Sequence, residues 1–131
     1  MRVLLDTSAY SLMKRRHPGA AAAVRSAELI GVTAVVLGEL LGGFVAGRRE
    51  ARNRQELTEF LDSGRVHLLP MGVDTAERFA LVYRTLRDSG RPIPTNDIWI
   101  AASALEYGLR LVTADAHYAL IPMLLTDVLA I

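Results

Sequence analysis

The sequence contains no cysteine among its 131 residues. This absence excludes a disulfide framework and any metal site built on thiolates, and it fits a reducing compartment, so we expect a cytoplasmic protein. Lysine is almost absent as well, because arginine supplies every basic residue except Lys14. There is no GxGxxG after a strand and no GKS or GKT. The usual motifs for binding nucleotide phosphates are therefore missing.

Signal peptides and membrane spans are also poorly supported. The N-terminal segment "MRVLLDTSAY" reaches Asp6 too early to contain the apolar run of a signal peptide. The segment from Leu29 to Gly47 is long enough to cross a bilayer, but it carries Glu39 near its middle and several glycines. This composition favours a strand followed by a helix, and we expect no membrane association.

Apolar runs and helical patterns alternate along the chain. Short apolar runs predict strands at "RVLL", "LIGV", "RVHLLP" and "LRLVT", with a last strand inside "TDVLAI". Helical patterns fill the intervals, including one that Thr33 would cap and one that Thr95 would cap and Gly108 would end. At 51% hydrophobic residues, the chain can bury a core. We expect one domain, residues 1–131, of the α/β class, with a mainly parallel sheet between two helical layers.

Four acidic residues occupy related places in this predicted arrangement. Asp6 follows the first strand and Asp115 follows the fourth. Asp97 lies near the start of the helix that leads into the fourth strand, and Glu39 lies inside the helix after the second strand. Right-handed crossovers bring the carboxyl ends of parallel strands to one edge of a sheet. The four carboxylates are therefore predicted to converge.

Such a cluster needs positive charge. Unpaired carboxylates repel one another and resist burial unless protons or cations neutralise them. Oxygen donors without cysteine favour Mg²⁺ or Mn²⁺ over zinc.

Each acid also has a purely structural interpretation. Asp6 could cap the helix that follows it, and Asp97 could interact with a helix dipole. Asp115 could form a turn within "TADAH". Glu39 could extend to the surface from between its apolar neighbours. The prediction of a metal site therefore depends on the four positions taken together.

Four segments in this order resemble the PIN domain family, and within it the VapC-type toxin ribonucleases. They are "VLLDTSA", "TAVVLGELLGG", "IPTNDIWIAASAL" and "LVTADAHYALIP", which together extend over nearly the whole chain. The resemblance implies a PIN fold in which Asp6, Glu39, Asp97 and Asp115 form the family's acidic quartet, with Asp6 and Asp97 as its principal metal ligands. It also implies that Ser8 and Thr113 contribute hydroxyl groups beside the site, although both could be ordinary cap or turn hydroxyls.

The resemblance further implies a function. A VapC-type protein is a Mg²⁺- or Mn²⁺-dependent endoribonuclease that hydrolyses RNA phosphodiester bonds by activating a water molecule. It implies a cognate antitoxin that blocks the acidic site, and a homodimer. A catalytically inactive PIN-fold module that binds RNA or protein and a nuclease of general RNA processing are the alternatives.

Arginine-rich segments suggest where RNA could bind. Arg15 and Arg16 end the first predicted helix, and a second cluster lies in "GRREARNR". Either cluster could hold phosphates, and either could be a solvated helix face. Tyr10 and Trp99 could stack on bases or belong to the core. His67 and His117 are weak ligand candidates by the same reasoning.

Two other enzyme classes fit the chain less well. A phosphotransfer receiver domain needs a lysine after a late strand, and Lys14 is in the wrong place. A phosphatase of the haloacid dehalogenase type needs a second acid two residues after its first, where Ser8 stands.

Overall fold

The computed structural model describes residues 1–131. The elements follow one another along the chain as β1 (Arg2–Leu5), α1 (Thr7–Lys14), α2 (Pro18–Ser26), β2 (Leu29–Thr33), α3 (Ala34–Ala46), α4 (Glu50–Leu61), β3 (Val66–Leu69), α5 (Val73–Asp88), α6 (Thr95–Tyr107), β4 (Arg110–Thr113), a 3₁₀ helix (Ala116–Leu120) and β5 (Thr126–Val128). The predicted alternation of strands and helices is confirmed, and the 3₁₀ helix was not predicted.

The five strands form one sheet in the order β3-β2-β1-β4-β5. All four pairings are parallel, and helices flank the sheet, so the predicted α/β/α class is confirmed. The chain moves outward from β1 through β2 to β3, and then crosses back to place β4 on the other side of β1. The strand order therefore reverses between β1 and β4. A crevice forms at such a reversal, beyond the carboxyl ends of the strands.

The core is built around the central strand. Val3, Leu4 and Leu5 of β1 are at most 1% exposed, as are Leu111 and Val112 of β4. A strand covered by helices on both faces has no solvent side, so its sequence is continuously apolar instead of alternating. Asp6 directly follows β1, and β4 ends at Thr113. Because the two strands are parallel, both polar residues lie at the same edge of the sheet.

Helix α3 begins as predicted, whereas α6 does not. The Thr33 side chain caps α3 by accepting a hydrogen bond from the Val36 amide. The N-cap residue of α6 is Pro94, and Thr95 is the first helical residue, so the prediction of a Thr95 cap was wrong. Pro94 lacks a capping side chain, but its fixed φ of −57° sets the chain direction at the helix entrance. Asp97 consequently lies in the first turn of α6.

Three helices end with a residue in the left-handed conformation. Two of these residues are glycines, Gly90 after α5 and Gly108 after α6, with φ of 69° and 65°. The third is Arg16 after α1, with φ of 63°. The left-handed region costs a residue with a Cβ atom about 1–2 kcal/mol. Arg16 therefore occupies a position where glycine would be the less strained residue.

None of the helices combines the length and hydrophobicity that a membrane crossing requires. The apolar segment from Leu29 to Gly47 forms β2 and α3, as predicted.

Candidate active site

The four predicted acids come from four elements around the reversal of strand order. Asp6 directly follows β1, and Asp115 lies two residues beyond the end of β4, the neighbouring strand. Asp97 lies in the first turn of α6, and Glu39 is in the first half of α3. Their separation in sequence is large, and the sheet topology brings them to the same region.

Asp6 is the most enclosed of the four, at 4% exposure. Its Oδ1 accepts hydrogen bonds from the Ser8 hydroxyl at 2.7 Å and from the Ala9 amide at 2.8 Å. Its Oδ2 accepts a 2.5 Å hydrogen bond from the Thr113 hydroxyl. Asp6 therefore does cap α1, as its structural interpretation required. One carboxylate oxygen forms the cap, and the other turns toward the end of β4.

Burial raises the pKa of the Asp6 carboxyl above its ordinary value of 3.8. The hydrogen bonds from Thr113, Ala9 and Ser8 stabilise the carboxylate and oppose this rise, whereas the negative charge of Asp115 adds to it. Asp6 is therefore a carboxylate whose ionised form is costly in the isolated chain. A cation beside it would lower that cost.

Ser8 and Thr113 connect Asp6 to the loop after β4. The Ser8 hydroxyl accepts a 2.9 Å hydrogen bond from the Ala114 amide, and the Thr113 hydroxyl accepts one of the same length from the Asp115 amide. Each hydroxyl thus accepts from that loop and donates to Asp6. The contacts fix the position of Asp6 relative to Asp115.

Asp97 and Asp115 are joined through His117. The His117 Nε2 lies 2.8 Å from Oδ2 of Asp97, and its Nδ1 lies 3.4 Å from Oδ1 of Asp115. One ligand atom from each of these three residues lies within 4.8 Å of the others, so the group could hold a metal ion. Sequence reasoning placed His117 only among the weak candidates. Its position two residues after Asp115 was the available signal.

Glu39 is exposed and extends from α3 toward its neighbours instead of being buried among apolar residues. Its Oε1 accepts a 2.5 Å hydrogen bond from the Thr7 hydroxyl, and its Oε2 accepts a 3.4 Å hydrogen bond from the Asn96 amide group. Thr7 follows Asp6, and Asn96 precedes Asp97. Sequence reasoning missed both residues, although each adjoins a predicted site aspartate. They link Glu39 to the elements that carry Asp6 and Asp97.

Tyr118 places a phenol group beside this site. The side chain is 1% exposed, and its hydroxyl makes no hydrogen bond within the protein. Burial and the negative charges of Asp97, Asp6 and Glu39 raise its pKa. Tyr118 therefore stays protonated, and its hydroxyl is a potential donor close to the carboxylates.

The predicted RNA-binding arginines lie away from the acids. Arg15 and Arg16 are at the end of α1 opposite to Asp6, where they line a separate concavity. Tyr10 is buried against Phe60, which favours its core interpretation. Trp99 is half-buried against Phe79.

The chain is similar in sequence and in fold to several known proteins. Ribonuclease VapC4 of Mycobacterium tuberculosis is 40% identical over 95 residues, which are 70% of this chain and 71% of that protein. The VapBC2 structure from Rickettsia felis, bound to a DNA fragment from its promoter, superposes with a TM-score of 0.85 at 22% identity, over 99% of this chain and 100% of that chain. VapBC-5 from Mycobacterium tuberculosis is a member of the VapBC family of toxin-antitoxin systems. Its structure superposes with a TM-score of 0.72 at 27% identity, over 99% of this chain and 98% of that chain.

The PIN domain family model matches residues 3–122, a range that contains all four acids together with Ser8, Thr113 and His117. The chain therefore belongs to the PIN domain family.

Proposed function

We propose that this protein is a divalent-metal-dependent endoribonuclease and that Asp6, Glu39, Asp97 and Asp115 form its catalytic site. The observation that carries the proposal is the placement of these four acids around the β1/β4 reversal. Hydrogen-bonding side chains hold two of them, Asp6 and Glu39, in place. The similarity to Ribonuclease VapC4 supports RNA as the substrate.

The donor set fits a divalent cation. Asp97 and Asp115 offer carboxylate oxygens beside the His117 nitrogens, and the buried Asp6 needs positive charge nearby. We assign Mg²⁺ or Mn²⁺ because carboxylates dominate the set and no thiolate is available. When bound, such an ion supplies Lewis-acid chemistry that makes water more acidic and offsets negative charge on the phosphate.

Hydrogen bonds from neighbouring side chains would hold the carboxylates of the site in fixed orientations. Thr113 and Ser8 hold both oxygens of Asp6, so this carboxylate cannot rotate freely. Thr7 and Asn96 hold Glu39 in the same way. Oriented carboxylates can accept a proton from an attacking water or fix its direction, and outer hydrogen-bond partners of this kind typically contribute 10–100-fold to metal affinity or activity.

The biological role we propose is that of the toxin in a toxin-antitoxin pair. The likeness to VapBC-5, a member of a toxin-antitoxin family, at 27% identity supports a partner antitoxin. We also propose that the protein forms a homodimer. Induced expression of the protein alone should arrest growth, whereas an RNA-processing nuclease without a toxin role would not. We also propose that residues 1–131 form one PIN domain, because β5 pairs with β4 beyond the residues that the family model matches.

A cleavage assay tests the enzymatic proposal. The purified protein should cut RNA in Mg²⁺ or Mn²⁺ and stop in EDTA, with Asp97→Asn as the inactive control. Attack by water leaves a 5′-phosphate and a 3′-hydroxyl, whereas attack by the RNA's own 2′-hydroxyl leaves a cyclic phosphate. Cyclic ends would reject the proposed mechanism. Absence of cleavage with bound RNA would favour the inactive binding module.

A further inference from the structure

The largest concavity on the protein, about 520 Å³, lies between α1, α3 and α4 and not at the acidic site. We call it the basic groove. It unites arginines from the two clusters that are far apart in the sequence. Its cationic lining residues are Lys14, Arg15, Arg16, Arg49 and Arg52.

The charge of the basic groove is strongly unbalanced. Glu56 is its one acidic lining residue, against five cations, which leaves a net charge of +4. Glu56 lies 3.5 Å from Lys14 and 4.0 Å from Arg52. The other three cations, which are Arg15, Arg16 and Arg49, have no carboxylate within 4.0 Å. They are exposed and available to an anionic ligand.

The basic groove shares two helices with the acidic site, because Asp6 caps α1 and Glu39 lies in α3. Its wall residue Tyr10 lies one helical turn beyond Asp6, and its lining residue Leu40 directly follows Glu39. Helix α1 has eight residues, so it extends about 12 Å from the acidic site to the cations at its far end. An RNA strand bound at the acidic site could therefore contact these cations with phosphates only a few nucleotides away from the cleaved bond.

The backbone of Arg16 adopts a left-handed conformation that is unfavourable for an arginine. Arg16 is the one residue other than glycine with a positive φ, and the equivalent positions after α5 and α6 are Gly90 and Gly108. The Arg16 amide donates to the Met13 carbonyl, and the His17 amide donates to the Leu12 carbonyl, which is the hydrogen-bonding pattern that glycine usually completes. Strained residues of this kind cluster where a side chain serves binding or catalysis.

We propose that the basic groove binds the backbone phosphates of the RNA strand that occupies the acidic site. This inference rests on the proposed ribonuclease function and adds a second contact region to it. Arginine forks match phosphate oxygens, and contacts to phosphates fix a strand's position without reading its sequence. Only three of the eleven lining residues are hydrophobic, so the chemistry of the basic groove suits a polyanion better than an apolar protein segment.

The test uses two variants chosen to keep the fold intact. Arg16→Gly removes a charge and relieves the left-handed strain, so we expect it to melt at the same or a higher temperature. Arg49 is the N-cap residue of α4 without a side-chain cap, so Arg49→Ser removes a charge and adds a capping hydroxyl. Arg25→Ala, on the exposed surface of α2 outside the basic groove, removes the same charge as a matched control.

The probe is a fluorescently labelled single-stranded RNA of mixed sequence, titrated in EDTA so that it is not cut. Arg16→Gly and Arg49→Ser should each weaken binding several-fold. Each should also flatten the dependence of log K on log salt by about 0.7 per lost phosphate contact. Arg25→Ala should leave the RNA affinity and its salt dependence unchanged.

Salt slopes equal to wild type in both variants would overturn the proposal, even if the protein cleaves RNA. Unchanged RNA binding with weakened affinity for the antitoxin would assign the basic groove to protein and would also overturn it. Failure of the cleavage assay alone would instead count against the ribonuclease function, because the binding measurement does not depend on catalysis.

Discussion

The imidazole Nε2 of His117 lies 2.8 Å from Oδ2 of Asp97, and this contact ties the loop after β4 to the first turn of α6. The other ring nitrogen faces Asp115 at 3.4 Å. A histidine between two carboxylates provides nitrogen ligands in a site that is otherwise rich in oxygen. The preference of the site among metal ions should therefore depend on this residue.

We expect His117→Ala to weaken Ni²⁺ binding more than Mg²⁺ binding. Imidazole is a good ligand for the later first-row metals, whereas Mg²⁺ prefers oxygen. Isothermal titration of both ions into both proteins measures the difference, with the exposed His67→Ala as the matched control. An equal loss for the two ions would mean that His117 orients Asp97 and does not bind the metal.

Asp97→Asn should remove most of the stabilisation by Mg²⁺. The wild type should gain roughly 2.7 kcal/mol when Mg²⁺ exceeds its dissociation constant a hundredfold. The variant keeps the side-chain volume but loses a charged ligand. In EDTA the variant should melt at the same or a higher temperature than wild type, because it removes one of several carboxylates that repel one another. A loss of about 0.3–1 kcal/mol in EDTA would instead indicate that Asp97 only interacts with the helix dipole. Thermal melts of both proteins in EDTA and in Mg²⁺ test this prediction. If Mg²⁺ stabilised the two proteins equally, Asp97 would not be a metal ligand.

The stability of Asp6→Asn relative to wild type should depend on pH. Because burial raises the pKa of Asp6 in the folded protein, this group favours folding below its unfolded value of about 3.8. That contribution disappears as pH rises through the folded pKa. The free energy of unfolding of Asp6→Asn, measured with urea in EDTA, should therefore increase relative to wild type from acidic to neutral pH. A difference that is constant with pH would contradict the assignment.

Thr113→Val should destabilise the protein and impair catalysis. The buried hydroxyl donates to Asp6 and accepts from the Asp115 amide, so its removal deprives Oδ2 of Asp6 and the Asp115 amide of this hydrogen-bond partner. We expect a loss of about 1–3 kcal/mol. Thr113→Ser retains the hydroxyl and should recover most of the activity in a cleavage assay. If Thr113→Val were as active as Thr113→Ser, the hydroxyl would have no role in orienting Asp6.

The sheet and three of the four acids were predictable because local patterns fix them. Fully buried parallel strands are continuously apolar, and "RVLL" and "RLVT" each stop at a polar residue. Asp6 and Asp115 could be placed from those strand ends alone. Asp97 could be placed from the start of a clear helix. Glu39 could be assigned to α3, but the sequence did not reveal the direction of its side chain.

Contacts that depend on tertiary packing were not predictable. His117 lies in a five-residue 3₁₀ helix that is too short to give a periodic signal. The Thr7 and Asn96 contacts to Glu39 require the relative positions of α1, α3 and α6, which no local pattern specifies. For the same reason, the two arginine clusters looked independent although they line one groove.

The position of β1 in the sheet has a consequence for synthesis. This strand is made first, but it lies in the middle of the sheet, and its partner β4 comes from residues 110–113. Domains fold as units, and the pairing of β1 with β4 must close a long loop. A ribosome-bound chain that has not yet exposed β4 therefore lacks Asp115 and the hydroxyl that orients Asp6. Each nascent chain would thus be unable to cut RNA until β4 has left the ribosome.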